Sequence, residues 1–338
     1  MHGDYTAYVL HDVEESHLYW VVWEHVHEES STMALLSSGF ADVLDVRFRQ
    51  IWDERFTQLP DMVEKFYNMG LVSTPGRQSE QYSTVGTLPE LSQFTGTVDY
   101  ADVYQGYDMT VTPLEFTKGI QIQRRLFDDD QHEIIDAKPK ALAGSIYRTR
   151  QVHAAGPFND AFSINSLFYS HTEGVAMCSN SHTTTSGASV ATGFDNLDTT
   201  SLSAVAVSAA RIKMVNFRGD QAERIAVMPN ALLVPPDLYE TAYEIVASQG
   251  KVDVGNNNAN VHYGQYEVIE WNYLTDTNNW FMMDLAMCKD QGLIWVDRVK
   301  GEFAFVEDFD TLIAKWRAYC RWAAAHMEWR WVNGASVS

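Results

Sequence analysis

Residues 177–193 read MCSNSHTTTSGASVATG, with Cys178 four positions before His182. A thiol and an imidazole in one segment raise two kinds of chemistry. A nucleophilic cysteine needs a histidine within hydrogen-bond reach, and a helix N-terminus usually lowers its pKa. No helix start directly follows Cys178. A zinc site needs further ligands at suitable spacing, and none lies nearby. The pattern favours a small buried thiol beside a polar loop. His25-Val26-His27 could place two imidazoles on one strand face, but Glu24, Glu28 and Glu29 flank it, which suits surface histidines in an acidic arm. Asp128-Asp129-Asp130 resembles a metal-ligand run, and helix capping explains it more simply. The sequence holds no GxxxxGK[ST], GxGxxG or GxSxG pattern. No catalytic, cofactor-binding or metal residue is therefore assigned, no cofactor is expected, and the chain is not expected to be an enzyme.

The elements around these residues say more. The 338 residues fit about two domains or one elaborated domain. Apolar residues make up 46% and aromatics 12%, enough for a substantial core and for aromatic interfaces. No apolar run approaches the ~20 residues that span a bilayer. The formal charge of −21 argues against tight nucleic-acid binding. No Lys or Arg precedes Arg47, so the basic start of a secretory signal is absent. The three cysteines, Cys178, Cys288 and Cys320, are far apart and fit a reducing compartment. Arg124, Arg125, Arg148 and Arg150 form the densest basic cluster, expected to pair with an acidic neighbouring subunit. Most of the tryptophans are expected in the core or at interfaces.

Residues 1–33 read as an extended arm, and 34–56 as helical. Residues 72–118 are broken by glycine and proline and read as a β-excursion with little core of its own. Phe116–Phe127 is predicted as a strand, with Ile120 and Ile122 on one face. A helix should start near Asp136, with Pro139 in its first turn, and end or kink at Gly156-Pro157. Asp198-Thr199-Thr200 should cap the next helix. RIAVMPNALLVPP reads as two strands broken at Pro229, followed by a helix with Leu238, Ala242, Ile245 and Val246 inward. An Asn-rich turn at 255–260 and strands in YEVIEW, NWFMMDL and GLIWV follow. DTLIAKWRAYCRWAAAH alternates with period two and predicts a long strand. EWRWV predicts a last strand ending before Asn333-Gly334. Met177-Cys178 should end a short strand, with a flexible SNSHTTTSGASVATG tail.

The order of these stretches is familiar. SGFADVLDVRFRQIWDERF, FTKGIQIQRRLFDDD with KALAGSIYRTRQVHAA, RIAVMPNALLVPPDLYETAYEIV, and LIWVDRVKGEFAFVEDFDT with WRAYCRWAAAHMEWRWVNG resemble the major capsid proteins of tailed bacteriophages. These share the Hong Kong 97-type fold, and within them the chain looks closest to the Mu-like phage major head subunits. The likeness covers about residues 38–335. It departs at Ala323, Ala324 and Ala325, where relatives often carry glycine, so a different turn is expected there.

The resemblance implies an α+β, Hong Kong 97-like capsid fold. Its parts would be an N-terminal arm and first helix (1–71), an extended β-hairpin loop (72–118), a peripheral domain (119–197 and 297–338) with a spine helix at about 137–155, and an axial domain (198–296). It implies a major capsid protein that assembles into hexamers and pentamers, forming an icosahedral shell around a double-stranded DNA phage genome. The arm and extended loop would reach over neighbouring copies. The negative surface would let packed DNA slide without sticking. A separate scaffolding protein, a portal and decoration proteins are the implied partners. Location would be the virion, after assembly in the bacterial host cytoplasm. The alternative is an encapsulin-like protein nanocompartment shell.

Overall fold

The computed structural model describes residues 46–51, 54, 61–70, 77–123, 125–126, 129, 136–168, 171–250, 259–308 and 310–338. The arm, His25 and His27, Arg124, Asp128, Asp130 and most of the Asn-rich turn lie outside them. Residues 46–51 are helical and bury Phe48.

Strands β1 (Glu80–Val85) and β2 (Gln105–Val111) pair antiparallel, with Glu80 opposite Val111. Strand β3 (Leu114–Gln123) buries Ile122 and leaves Gln121 and Gln123 exposed, as its alternation predicts. Helix α1 spans Ala137–Asn159. Strand β4 (Leu197–Asp198) precedes helix α2 (Ala204–Val215). Strand β5 (Ala231–Val234) leads through a short 3-10 turn into helix α3 (Tyr239–Ala247). Strands β6 (Glu267–Glu270), β7 (Trp280–Met283), β8 (Leu293–Asp308), β9 (Ile313–His326) and β10 (Val332–Ala335) follow.

The long strands form a three-stranded antiparallel sheet in the order β3-β9-β8. Period two in β9 decides its faces. Trp316, Ala318, Cys320 and Trp322 point inward, and Lys315, Arg317, Tyr319 and Arg321 lie on the other face. Leu142, Ala143 and Ile146 of α1 belong to the same core as Trp295, Trp316 and Trp322. Further along α1, Phe158 meets Phe66, Trp271, Phe281 and Trp331. A second, mixed sheet has the order β4-β10-β7-β5-β6. One face, with Leu233, Phe281 and Met283, joins the α1 core. The other, with Leu232, Val234, Trp280 and Met282, is covered by α2 and α3.

Several expectations need correction. Gly156-Pro157 neither ends nor divides α1; both lie in its last turns. Glycine is required there because the Phe168 ring occupies the space a Cβ would take. Asp136 makes no side-chain cap and instead pairs with Arg47. Helix α2 is capped by Ser203, whose hydroxyl accepts from the Ala206 amide at 3.2 Å. Asp198 is a strand residue opposite Ala335, and its carboxylate accepts from Lys213 and from Asn333, both at 2.7 Å.

The first half of RIAVMPNALLVPP is no strand. The Met228 amide is taken by the Asp284 carboxylate at 2.9 Å rather than by a ladder neighbour, and only Asn230 bonds to the neighbouring strands, at Met283 and Glu267. Of EWRWV only Val332 lies in a strand, as the first residue of β10. Glu328 folds back to accept from the Trp329 and Arg330 amides, making a turn. Asn333-Gly334 then fall inside β10, where Gly334 leaves room for the Cys178 sulfur and Phe162. Ala323, Ala324 and Ala325 form no turn and continue β9 opposite β8. The closing segment 297–338 thus divides between both sheets.

Candidate functional site

Cys178 and His182 lie close in sequence but face different partners. Met177-Cys178 is a buried bend rather than a strand end, because the Cys178 amide bonds to the Ala161 carbonyl at 2.8 Å instead of a ladder neighbour. Burial pushes the Cys178 thiol far above its ordinary value. That is the reverse of what a nucleophile needs. His182 turns away. Its Nδ1 lies 3.2 Å from Glu173 Oε1 and its Nε2 lies 3.1 Å from Asn196 Oδ1.

Asn196, fully buried, organises both residues. Its Oδ1 accepts from the Ser179 amide, and its Nδ2 donates to the carbonyls of Met177 and Val332 at 2.9 and 3.1 Å. Burial works against the Glu173 carboxylate, but His182 and the Thr183 amide outweigh it and hold its pKa below the usual range. The expected flexible tail is therefore pinned. Thr184 Oγ1 donates to the Asp220 carbonyl and Thr185 Oγ1 to the Gln105 carbonyl, both at 2.8 Å. Sequence reading missed Glu173, Asn196 and Trp329. No motif marks them.

The basic cluster is corrected too. Arg150 is buried and pairs within its own chain, with Asp61 at 2.7 Å and Asp297 at 3.0 Å. Its guanidinium lies 4.6 Å over the Trp295 ring. Arg125 faces Asp129 at 3.8 Å on the surface, and Arg148 is exposed. Arg150 thus turns inward, while Arg125 and Arg148 stay at the surface. Among the described residues, no group of three or more His, Cys, Asp or Glu could hold a metal ion, and no helix is long and apolar enough to cross a membrane.

What the pinned loop does is hold the root of the β1–β2 hairpin. Tyr107 Oη and Thr183 Oγ1 are 2.6 Å apart, and the Thr172 amide donates to the Asp108 carbonyl at 2.9 Å. Gln221 Nε2 donates to the carbonyls of Thr87 and Asp102 at 3.0 and 3.1 Å. Arg298 pairs with Glu80 at 2.8 Å at the other end of β1. Beneath, Arg330 binds Glu328 at 2.8 Å and Asp220 at 3.0 Å. Beyond that root the chain is bare. Leu91, Phe94, Val98 and Tyr100 are all exposed, Leu91 completely. A firmly rooted hairpin with an uncovered apolar end is built to contact something.

The family model described as "Phage capsid protein" matches residues 106–332, more than half of the chain. The chain belongs to the phage capsid protein family. It is a structural component of the phage shell. Solved capsid structures agree in fold. The capsid of bacteriophage JBD30 superposes with a TM-score of 0.51 at 15% identity, covering 72% of this capsid protein and 100% of that chain. The mature capsid of bacteriophage PhiM1 gives a TM-score of 0.52 at 7% identity, covering 83% and 88%. At such identities the likeness is one of fold alone. Comparison with curated protein sequences gave no match.

Proposed function

We propose that this capsid protein has the Hong Kong 97-type fold of the Mu-like head subunits and assembles into hexamers and pentamers around a double-stranded DNA genome. Residues 1–71 act as arm and first helix, and 72–118 as the extended loop. Residues 119–197 and 297–338 form the peripheral domain, and 198–296 the axial domain. The observation that carries this is the hairpin: rooted by a dense polar network, yet exposing Leu91, Phe94, Val98 and Tyr100. Such a segment recovers its ordering entropy by burial on a neighbouring copy. The chain's −21 charge suits a lining that does not grip DNA. A separate scaffolding protein, a portal and decoration proteins are the partners, and assembly takes place in the host cytoplasm. The protein functions by self-association, without catalysis.

Electron microscopy and sedimentation of the purified protein, with and without its scaffold, test this. Capsomers or closed shells are expected. Protein that stays monomeric under every condition would overturn it.

A further inference from the structure

Helix α2 is apolar on two sides. Ala206, Val207, Ala210 and Met214 are buried against the five-stranded sheet. The opposite side carries Val205, Ala209 and Ile212, spaced i, i+4, i+7, and all three are exposed. A helix that is apolar all round is normally covered all round. This one is covered on one side alone, with Val205 70% and Ile212 58% exposed.

Its charge is as unusual. In a chain with 45 acidic residues, positions 201–219 contain none, while Arg211, Lys213 and Arg218 fall among them. Arg211 is exposed and makes no ion pair among the described residues. Helix α3 is the counterpart. Positions 235–250 contain Asp237, Glu240 and Glu244 and no Lys or Arg. Its outer side presents Tyr239 and Tyr243, stacked with centroids 6.1 Å apart, beside the exposed Glu240 and Glu244. Neither carboxylate has an ion-pair partner among the described residues.

The two helices share one face of the sheet, at opposite ends of the strand order. Helix α2 packs over β10 and β7, and α3 over β6 and β5. The loop at 260–264 lies between them, with His262 Nε2 3.0 Å from Ser208 Oγ. A basic apolar face at one end and an acidic aromatic face at the other cannot meet within one chain. They can meet between chains.

We propose that the outer face of α2 in one copy docks on the outer face of α3 in the next, head to tail. A contact of this kind is heterologous and closes into rings when the rotation permits. The apolar stripe and the tyrosine pair supply the buried centre, and Arg211 opposite Glu240 and Glu244 sets orientation and partner choice. This rests on the shell reading, and names the surfaces that would join copies within one capsomer.

Charge reversal tests it. Arg211→Glu should lower the assembled fraction roughly tenfold or more, as should Glu240→Lys with Glu244→Lys, because like charges then face each other. Both changes are on exposed side chains, so thermal melting of the unassembled protein should stay at the wild-type value. All three substitutions in one chain should restore assembly. The two defective proteins mixed one to one should also assemble, but only by alternating around the ring. Six-membered rings can alternate and five-membered rings cannot, so hexamers without pentamers are expected. If wild-type protein assembles while either reversal leaves assembly unchanged, or if the combined chain stays defective with native melting, this contact is wrong and the shell reading survives. If the wild type itself never assembles, both fail.

Discussion

The imidazole of His182 lies flat on the indole of Trp329, with ring centroids 4.1 Å apart and planes 5° from parallel. This pair fixes the 171–185 loop to the turn that precedes β10, and through Thr183 and Thr185 it holds the hairpin root. Replacing His182 by Ala removes the stack and takes the imidazole away from Glu173 and Asn196, leaving the buried Glu173 carboxylate with the Thr183 amide but no cationic partner. The expected loss is roughly 2–4 kcal/mol of unfolding free energy. Urea denaturation of the unassembled protein measures it. A change below about 0.5 kcal/mol, the range of ordinary surface substitutions, would mean the loop is not anchored here.

Acid should weaken the fold before carboxylates titrate in bulk. Burial among Phe116, Phe168 and Trp295 pushes His153 down from 6.5 to about 4. Burial lowers His171 and, more strongly, His326 as well. The unfolded chain then binds more protons than the folded one between those values. Stability present above pH 6.5 is lost as pH falls toward 4. For His153 alone the loss is on the order of 3 kcal/mol, at about 1.36 kcal/mol per unit. The depressed Glu173 adds a further loss that begins as pH falls through its ordinary value of 4.5. Denaturation midpoints from pH 7.5 to 4.5 should fall steadily, and His153→Phe should flatten that slope if the protein folds. A flat wild-type profile would contradict the assignment.

Arg150 is a buried cation with two carboxylate partners and an aromatic floor. Arg150→Met removes the charge and leaves Asp61 and Asp297 unpaired. Breaking a buried pair in this way costs about 3–5 kcal/mol. Adding Asp297→Asn should recover part of the loss, and a double-mutant cycle by chemical denaturation gives the coupling. Zero coupling would mean that Asp297 contributes nothing to holding the arginine, which would then rest on Asp61 and its aromatic floor.

The hairpin end makes the opposite prediction. Leu91→Asp with Phe94→Asp touches no intrachain packing, so unfolding free energy should stay within about 0.5 kcal/mol of wild type. Assembly should nevertheless fail or slow, because a charge would be buried at the contact with a neighbour. Light scattering during assembly separates the two effects. Normal assembly kinetics in this variant would remove the hairpin end from the interface.

Much of the architecture could be read along the chain. Period two in 313–326 gave β9 and its inward tryptophans, because side-chain direction in a strand is a local property. The pattern around 231–247 gave β5 and the buried face of α3 for the same reason. Local signals misled where a distant residue had the stronger claim. Asp198 looked like a cap, but Lys213 and Asn333 take its carboxylate. Gly156-Pro157 looked like a helix stop, but the glycine makes room for Phe168.

Cys178 and His182 show the division most plainly. The sequence by itself placed a thiol and an imidazole four residues apart and found no further ligand or helix start to make them a site. It also set the charge, the core-forming patterns and the order of elements that resembles phage capsid proteins. Only the tertiary structure decided that the thiol faces Gly334 while the imidazole stacks on Trp329 and reaches Glu173 and Asn196. Spacing along a chain fixes which groups are near in sequence. Which way each points is set by partners that folding brings from up to ~150 positions away, and those partners leave no local mark.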